Sequence, residues 1–434
     1  MLFRRRHHRR PRHAAAPAWR RVLQLLGPGL ITGASDDDPS GIATYSQAGA
    51  QFGYSMCWVM LFTWPLMAAI QEISARIGRV TGKGIAANLR EHYPVAALRG
   101  MVLLLIGANF LNLGADLGAM GDALRLIVGG PAGAYVVLFA ALCAVLEIYS
   151  RYDKYVRILK WLTLSLFAYV ATALLIHVPW GEVAYNTLVP HPVWKQDYLV
   201  VIVAVLGTTI SPYLFFWQAS EEAEDERVDP AARPLAEAPQ EARREIRRIE
   251  FDTYIGMGFS NVIALFIIIT TAATLHQQGV TDISTSEQAA QALRPVAGEF
   301  AFFIFALGIL GTGLLAIPVL AGSAAYAVAE TIGQPTGLAR QPREAKAFYA
   351  TIVGGTLVGV VINFVNLDPM KALFWVAVIN GVVAVPVMVM MMLMTMRREV
   401  MGDFTLPRPL WVVGWLSTAA MAVAVVAMFA TWSG

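Results

Sequence analysis

Three consecutive carboxylates, Asp36, Asp37 and Asp38, stand inside an otherwise uncharged apolar stretch and are followed at once by Pro39-Ser40-Gly41. Insertion scales put a single Asp at the centre of a bilayer-spanning helix at about 2.5 to 3.5 kcal/mol, so carboxylates in such a place are functional-site candidates. Pro39 removes a backbone donor and Gly41 loosens the chain, so a helix is expected to unwind here and present free carbonyls. A break beside a carboxylate is the chemistry of a cation site. No Lys or Arg shares the depth of these acids within any apolar stretch. At about 100° per residue the three cannot all face one ligand. Asp38, next to the break, is placed on the ion, and Asp36 or Asp37 faces a water-filled vestibule. The plainer reading is a proline kink with its acids neutralised.

A second interruption lies in YLVVIVAVLGTTISPYLFFWQAS, where Gly207, Thr208, Thr209, Ser211 and Pro212 fall near the middle of an apolar run. Between the two breaks, Asn109, Asn112 and Asp116 follow one another at intervals of three and four, which stacks them on one helical face. Such a stripe either lines the vestibule or ties its helix to a neighbour by hydrogen bonds. Asn380 precedes Pro386 in another apolar run and supplies either a pocket amide or packing. Glu72 and Glu147 each have an arginine four residues on, Arg76 and Arg151, and read as structural ion pairs.

The elements that hold these residues follow from composition. Of 434 residues 57% are apolar and only 15% charged, and the mean hydropathy is +0.56. A soluble enzyme is excluded, and no ATP-binding motif is present. The two cysteines, Cys57 and Cys143, lie in apolar runs and support neither a disulfide framework nor a thiolate metal site. Apolar runs of helix length occur near 22–50, 54–76, 100–126, 133–150, 157–178, 197–219, 251–275, 299–326, 347–366, 371–396 and 409–432. The class is therefore an all-α membrane protein with eleven transmembrane helices.

Twenty-nine of the thirty-three Lys and Arg residues fall in the tail 1–21 or in the connections after even-numbered spans. By the positive-inside rule the N-terminus is cytoplasmic and the C-terminus outside. The tail, with His7, His8 and His13, reads as a basic anchor at the membrane surface rather than a metal site. The insert 220–250, acidic at EEAEDE and basic at RREIRR, reads as a solvated cytoplasmic loop ending in a surface helix, or as an acidic funnel for cations. The methionines at 388, 390, 391, 392, 394 and 396 surround a helix end and read as lipid-facing packing.

Breaks in spans 1 and 6, five spans apart, point to inverted repeats around a shared midplane site. The expected division is a first repeat over 22–178, a second over 197–396 and an appended helix over 409–434, in a LeuT-type fold with helices 1 and 6 unwound at mid-membrane.

The run GPGLITGASDDDPSGIATYSQAGAQFGYSMCWVMLF and the run QEISARIGRVTGKGIA resemble the Nramp family of divalent-metal transporters (natural resistance-associated macrophage proteins). The likeness is dense over 27–93 and continues through all the spans in order. It implies a metal held between unwound segments of helices 1 and 6, commonly with proton coupling. The family's Asp-Pro-Gly-Asn lines up with Asp38-Pro39-Ser40-Gly41, which keeps the carboxylate and loses the amide oxygen at Gly41. Its Ala-Thr-Val-Met-Pro-His lines up with Thr208-Thr209-Ile210-Ser211-Pro212-Tyr213, so a thioether becomes a hydroxyl and an imidazole a phenol. Its Asp and Glu of the third span look like Asp116 and Ala119.

The implied metal set is Asp38, Ser40, Gly41, Thr208, Thr209 and Ser211. Asp36, Asp37, Asp116, Tyr213, Asn109 and Asn112 border the vestibule or a proton path, and Asn380 is a possible pocket residue. Loss of the soft sulfur widens the range toward hard ions, with Mg²⁺ or Mn²⁺ favoured. The family's magnesium-transporting branch also lacks that methionine, and a roomy site suits a partly hydrated Mg²⁺. The expectation is a secondary transporter that takes up a divalent cation by alternating access, with weak or absent proton coupling. Its partners are the lipid bilayer and the cation itself, with no cofactor and no nucleic acid. A LeuT-type carrier of a small organic substrate and a non-transporting membrane sensor are the competing readings.

Overall fold

The computed structural model describes residues 33, 36–149, 162–228, 232–365 and 368–432. The basic tail with His7, His8 and His13, most of the first half of span 1, and Arg151 lie outside the described residues. Among those described, every regular element is helical. The principal helices are α1 (Pro39–Phe52), α2 (Cys57–Thr81), α3 (Ile85–His92), α4 (Val95–Val128), α5 (Ala132–Tyr149), α6 (Phe167–Leu175), α7 (Trp180–Leu188), α8 (Gln196–Thr209), α9 (Pro212–Val228), α10 (Ala242–Thr274), α11 (Ala301–Thr331), α12 (Lys346–Ile362), α13 (Pro369–Thr395) and α14 (Arg408–Ala430).

Local chemistry sets where these helices begin and end. Asp38 caps α1 with its side chain and Pro39 occupies the first turn, a position where the missing N–H has no partner to lose. Gly82 closes α2 at φ 65°, the left-handed conformation that a residue without Cβ adopts freely. Between α8 and α9 the chain leaves helical geometry at Ile210, with φ −117° and ψ 60°, before Pro212 restarts it.

Eight helices among the described residues are long and apolar enough to cross a membrane, with α1 and α2 counted as one stretch through the turn Gly53–Met56. Lys346–Ile362 is shorter. The fifth expected span, 157–178, ends at a bend: Leu164–Leu175 and Trp180–Leu188 meet at 117°. Val178 precedes Pro179, and a residue before proline is driven out of helical geometry.

The middle of the molecule is α1, α8 and α9, wrapped by α2, α4, α10, α11 and α13. Every residue from Tyr198 to Ser220 is buried. Helices α8 and α13 touch backbone to backbone, because a Cβ on Gly207 would lie 2.0 Å from the Ala377 carbonyl oxygen and one on Gly381 would lie 2.7 Å from that of Val203.

Two expectations change. The acidic run is not a solvated loop, because residues 221–228 continue α9 and Glu222, Glu224 and Glu226 are buried. Arg79 reaches Glu226 at 3.2 Å and Glu245 at 3.5 Å, and Arg248 pairs with Glu222 and reaches Glu245 at 3.0 Å. The basic RREIRR, which starts α10, supplies part of the positive charge that buried carboxylates require. The methionine cluster does not face outward, since Met388, Met391, Met392 and Met394 are fully buried and only Met396 is clearly exposed. Met392 fills the gap over Gly414 of α14. Glu72 does pair with Arg76, at 2.6 Å, and Glu250 joins them at 2.9 Å. Glu147 is buried, and its expected partner Arg151 is not among the described residues.

Candidate functional site

The start of α1 organises the site. Asp38 is 1% exposed, and its Oδ1 accepts from the Ser40 hydroxyl at 2.6 Å and the Gly41 amide at 2.8 Å. The Gly41 bond is the N-cap bond of α1 and the Ser40 bond comes from the same first turn, so that oxygen is committed to the helix. Its Oδ2 accepts from Asn112 Nδ2 of α4 at 3.2 Å and from the Tyr213 hydroxyl of α9 at 3.3 Å. Ser40 Oγ lies 3.5 Å from Thr208 Oγ1, which brings the two breaks into contact. A Cβ on Gly41 would meet Thr208 Oγ1 at 3.3 Å and the Tyr45 ring at 3.2 Å. Three elements thus meet at one carboxylate, with α8 one contact away through Ser40.

Thr209 and Ser211 are turned toward their own chain. The Thr209 hydroxyl donates to Val205 O at 2.9 Å, and the Ser211 hydroxyl donates to Gly207 O at 2.7 Å and Thr208 O at 2.9 Å. Ser211 therefore occupies carbonyls at the end of α8, and a hydroxyl that donates there still has lone pairs to offer. Asp36 and Asp37, 0% and 3% exposed, share one partner, Ser260 of α10, whose hydroxyl lies 2.6 Å from Asp36 Oδ2 and 3.0 Å from Asp37 Oδ1.

Both asparagines of the α4 stripe hydrogen-bond to a neighbouring element. Asn109 donates to Leu320 O at 3.1 Å and Ser323 Oγ at 2.7 Å, a tie to α11. Asn112 reaches Asp38 instead. Asp116 is fully buried, neither carboxylate oxygen has a hydrogen-bond partner, and it lies within electrostatic reach of Asp38. Asn380, on α13 beside the Gly207–Gly381 contact, is 1% exposed and its amide is likewise unpartnered.

Sequence reasoning did not single out Ser260 or Ser323. Each is one of several hydroxyl residues in a long helix, a pattern that by itself marks nothing. Ser260 had one faint signal, the adjacent Asn261, which anchors α10 to Met60 O at 2.8 Å.

Among the described residues no group of three or more His, Cys, Asp or Glu side chains is placed to hold a metal. A cation at this point would rest on one carboxylate and neutral oxygens, a donor set that suits hard ions.

The chain matches the family described as natural resistance-associated macrophage protein-like over residues 29–431. It is 27% identical over 423 residues to the divalent metal cation transporter MntH of Klebsiella pneumoniae (strain 342), covering 94% of this chain and 95% of that one. Its fold is similar to that of the Eremococcus coleocola manganese transporter crystallised with an aromatic bis-isothiourea substituted compound, with a TM-score of 0.73, 18% identity, and coverage of 96% and 89%. It is also similar, at a TM-score of 0.54 and 15% identity over 94% and 92%, to Mhp1, a nucleobase-cation-symport-1 family transporter. With a match spanning nearly the whole chain, this protein belongs to the natural resistance-associated macrophage protein (Nramp) family.

Proposed function

We propose that the protein is a secondary transporter that takes up a divalent cation, Mg²⁺ or Mn²⁺, by alternating access. The observation that carries the reading is the buried Asp38 carboxylate, with one oxygen held by its own helix and the other turned toward α4 and α9. No ion pair to Asp38 occurs among the described residues, and a charge so buried needs a compensating cation or proton. The similarity to proteins named divalent metal cation transporters points the same way.

In this reading eleven spans form a LeuT-type bundle of two inverted repeats, with the N-terminus cytoplasmic. The interruptions at Asp38 and at Ile210–Ser211 are the unwound centres of helices 1 and 6. Asp38 supplies the charge, Ser40, Thr208, Thr209 and Ser211 with backbone carbonyls near Asp38 and Thr208 supply neutral oxygens, and Gly41 lies beside Thr208. The membrane potential drives the ion inward by about 2.3 kcal/mol per charge per 100 mV, roughly twice that for a divalent cation. Proton coupling is weak, because Tyr213 and Ala119 take positions where the family carries a titratable His and Glu, and a phenol with an unperturbed pKa near 10 stays neutral at working pH.

Ion flux into proteoliposomes from a panel of Mg²⁺, Mn²⁺, Ca²⁺ and amino acids tests this. Saturable flux of Mg²⁺ or Mn²⁺ is expected, with no amino-acid uptake. Amino-acid accumulation without cation flux would replace the reading with an organic-substrate carrier.

A further inference from the structure

Oxygen Oδ2 of Asp38 is approached from outside its own helix by Asn112 at 3.2 Å and Tyr213 at 3.3 Å. Both contacts are long for bonds to an ionised acceptor, whereas the Ser40 hydroxyl and the Gly41 N-cap amide lie 2.6 and 2.8 Å from Oδ1. The Oδ2 side is therefore the face from which a hydrogen-bond donor is most readily displaced. Asn112 is fully buried, and its own carbonyl oxygen, Oδ1, has no hydrogen-bond partner. A buried amide with its acceptor unused is costly unless another group meets it. Gly41 has no side-chain oxygen to give, and its surroundings are already filled by Thr208 and Tyr45.

The geometry points to Asn112 as a direct ligand of the transported cation, its amide turning so that Oδ1 joins Asp38 Oδ2 on the ion in place of the hydrogen bond that Nδ2 donates. The two ends of a carboxamide are nearly equal in size, so the turn needs no added space. An amide oxygen is a hard, neutral donor of the kind Mg²⁺ and Mn²⁺ accept. Asn109, one turn away, is held by two bonds from its nitrogen to α11 and cannot turn in the same way. The inference rests on the proposed divalent-cation function and adds to its site a ligand from α4, outside the two interrupted helices.

Mn²⁺ titration of the purified full chain tests it with four proteins: wild type, Asp38→Ala, Asn112→Ala and Asn112→Asp. Asn112→Ala should weaken binding by roughly tenfold or more, the lower range for loss of a group that supports a metal. Asn112→Asp should bind at least as tightly as wild type, since an oxygen remains and a negative charge is added. A residue that merely props Asp38 gives the opposite result, because an aspartate cannot donate to Asp38 when both are ionised and repels it. Binding weakened in Asn112→Asp as much as in Asn112→Ala, or unchanged in Asn112→Ala, overturns the assignment. If Asn112→Ala does not elute as a folded protein, the direction of change in Asn112→Asp decides alone. Wild-type protein that binds no divalent cation refutes the transport reading itself. Binding lost in Asp38→Ala but kept in Asn112→Ala refutes only the role of Asn112.

Discussion

Asp38 divides its two oxygens between tasks, one capping α1 and the other meeting α4 and α9. In the proposed site that division lets one carboxylate hold a helix start and still meet a cation. Ser211 has a similar double position, since its hydroxyl caps the carbonyls of Gly207 and Thr208 at the end of α8. Replacing it changes both the fold and the chemistry at that point. Ser211→Met should shift preference toward Cd²⁺ over Mg²⁺, because a thioether favours softer ions. The substitution also removes the one hydroxyl donor that the two carbonyls share, a loss on the order of 1 kcal/mol. Competition binding with Cd²⁺ and Mg²⁺ on both proteins checks this, and an unchanged ratio would place Ser211 away from the ion. At this scale the meeting of the Asp38 and Thr208 breaks was legible because a carboxylate and a Gly-Thr-Thr-Ile-Ser-Pro run have no ordinary reason to interrupt apolar sequence. The different fates of Asn109 and Asn112 were not, because helical spacing places both on one face and says nothing of which neighbour each meets. Ser260 was invisible for the same reason, as its importance comes from two aspartates on another helix.

Packing between elements fixes the depth at which the two breaks meet. Helix α13 lies against α8 through Gly207 and Gly381, and Asn380 is next to that contact. Gly207→Ala should therefore push the helices apart, costing at least the roughly 1–3 kcal/mol of an overpacked core. Gly107→Ala is the control, since nothing lies within 4 Å of a Cβ there, and by helix propensity it should gain up to about 1 kcal/mol. Thermal unfolding in detergent separates them, with a clear loss for the first and none for the second. Equal melting would mean that α8 and α13 are not in close contact. The long apolar spans were legible from hydropathy alone. The end of α9 was not, because six residues with five carboxylates read as solvated until Arg79 and Arg248 are brought to them from distant parts of the chain. The end of the fifth apolar run before Pro179 was legible, but the sharp turn into α7 was not, since a proline marks a stop and not the direction the chain takes after it.

In the proposed reading, the concentration of Lys and Arg on one side and the buried carboxylate at the breaks belong to one transport path. With the basic side cytoplasmic, as proposed, a divalent ion moving toward it descends the membrane potential, so uptake needs no second gradient. Paired proteoliposomes carrying wild-type or Asp38→Asn protein, with Mn²⁺ uptake followed at stepped internal-negative potentials and a pH-sensitive dye inside, decide whether that path runs through Asp38. Wild-type uptake should saturate with Mn²⁺ and rise with each step while interior pH stays constant, and Asp38→Asn should show only background. Equal uptake by both proteins would contradict an ion path through this carboxylate, and acidification that tracks Mn²⁺ entry would contradict an uncoupled mechanism.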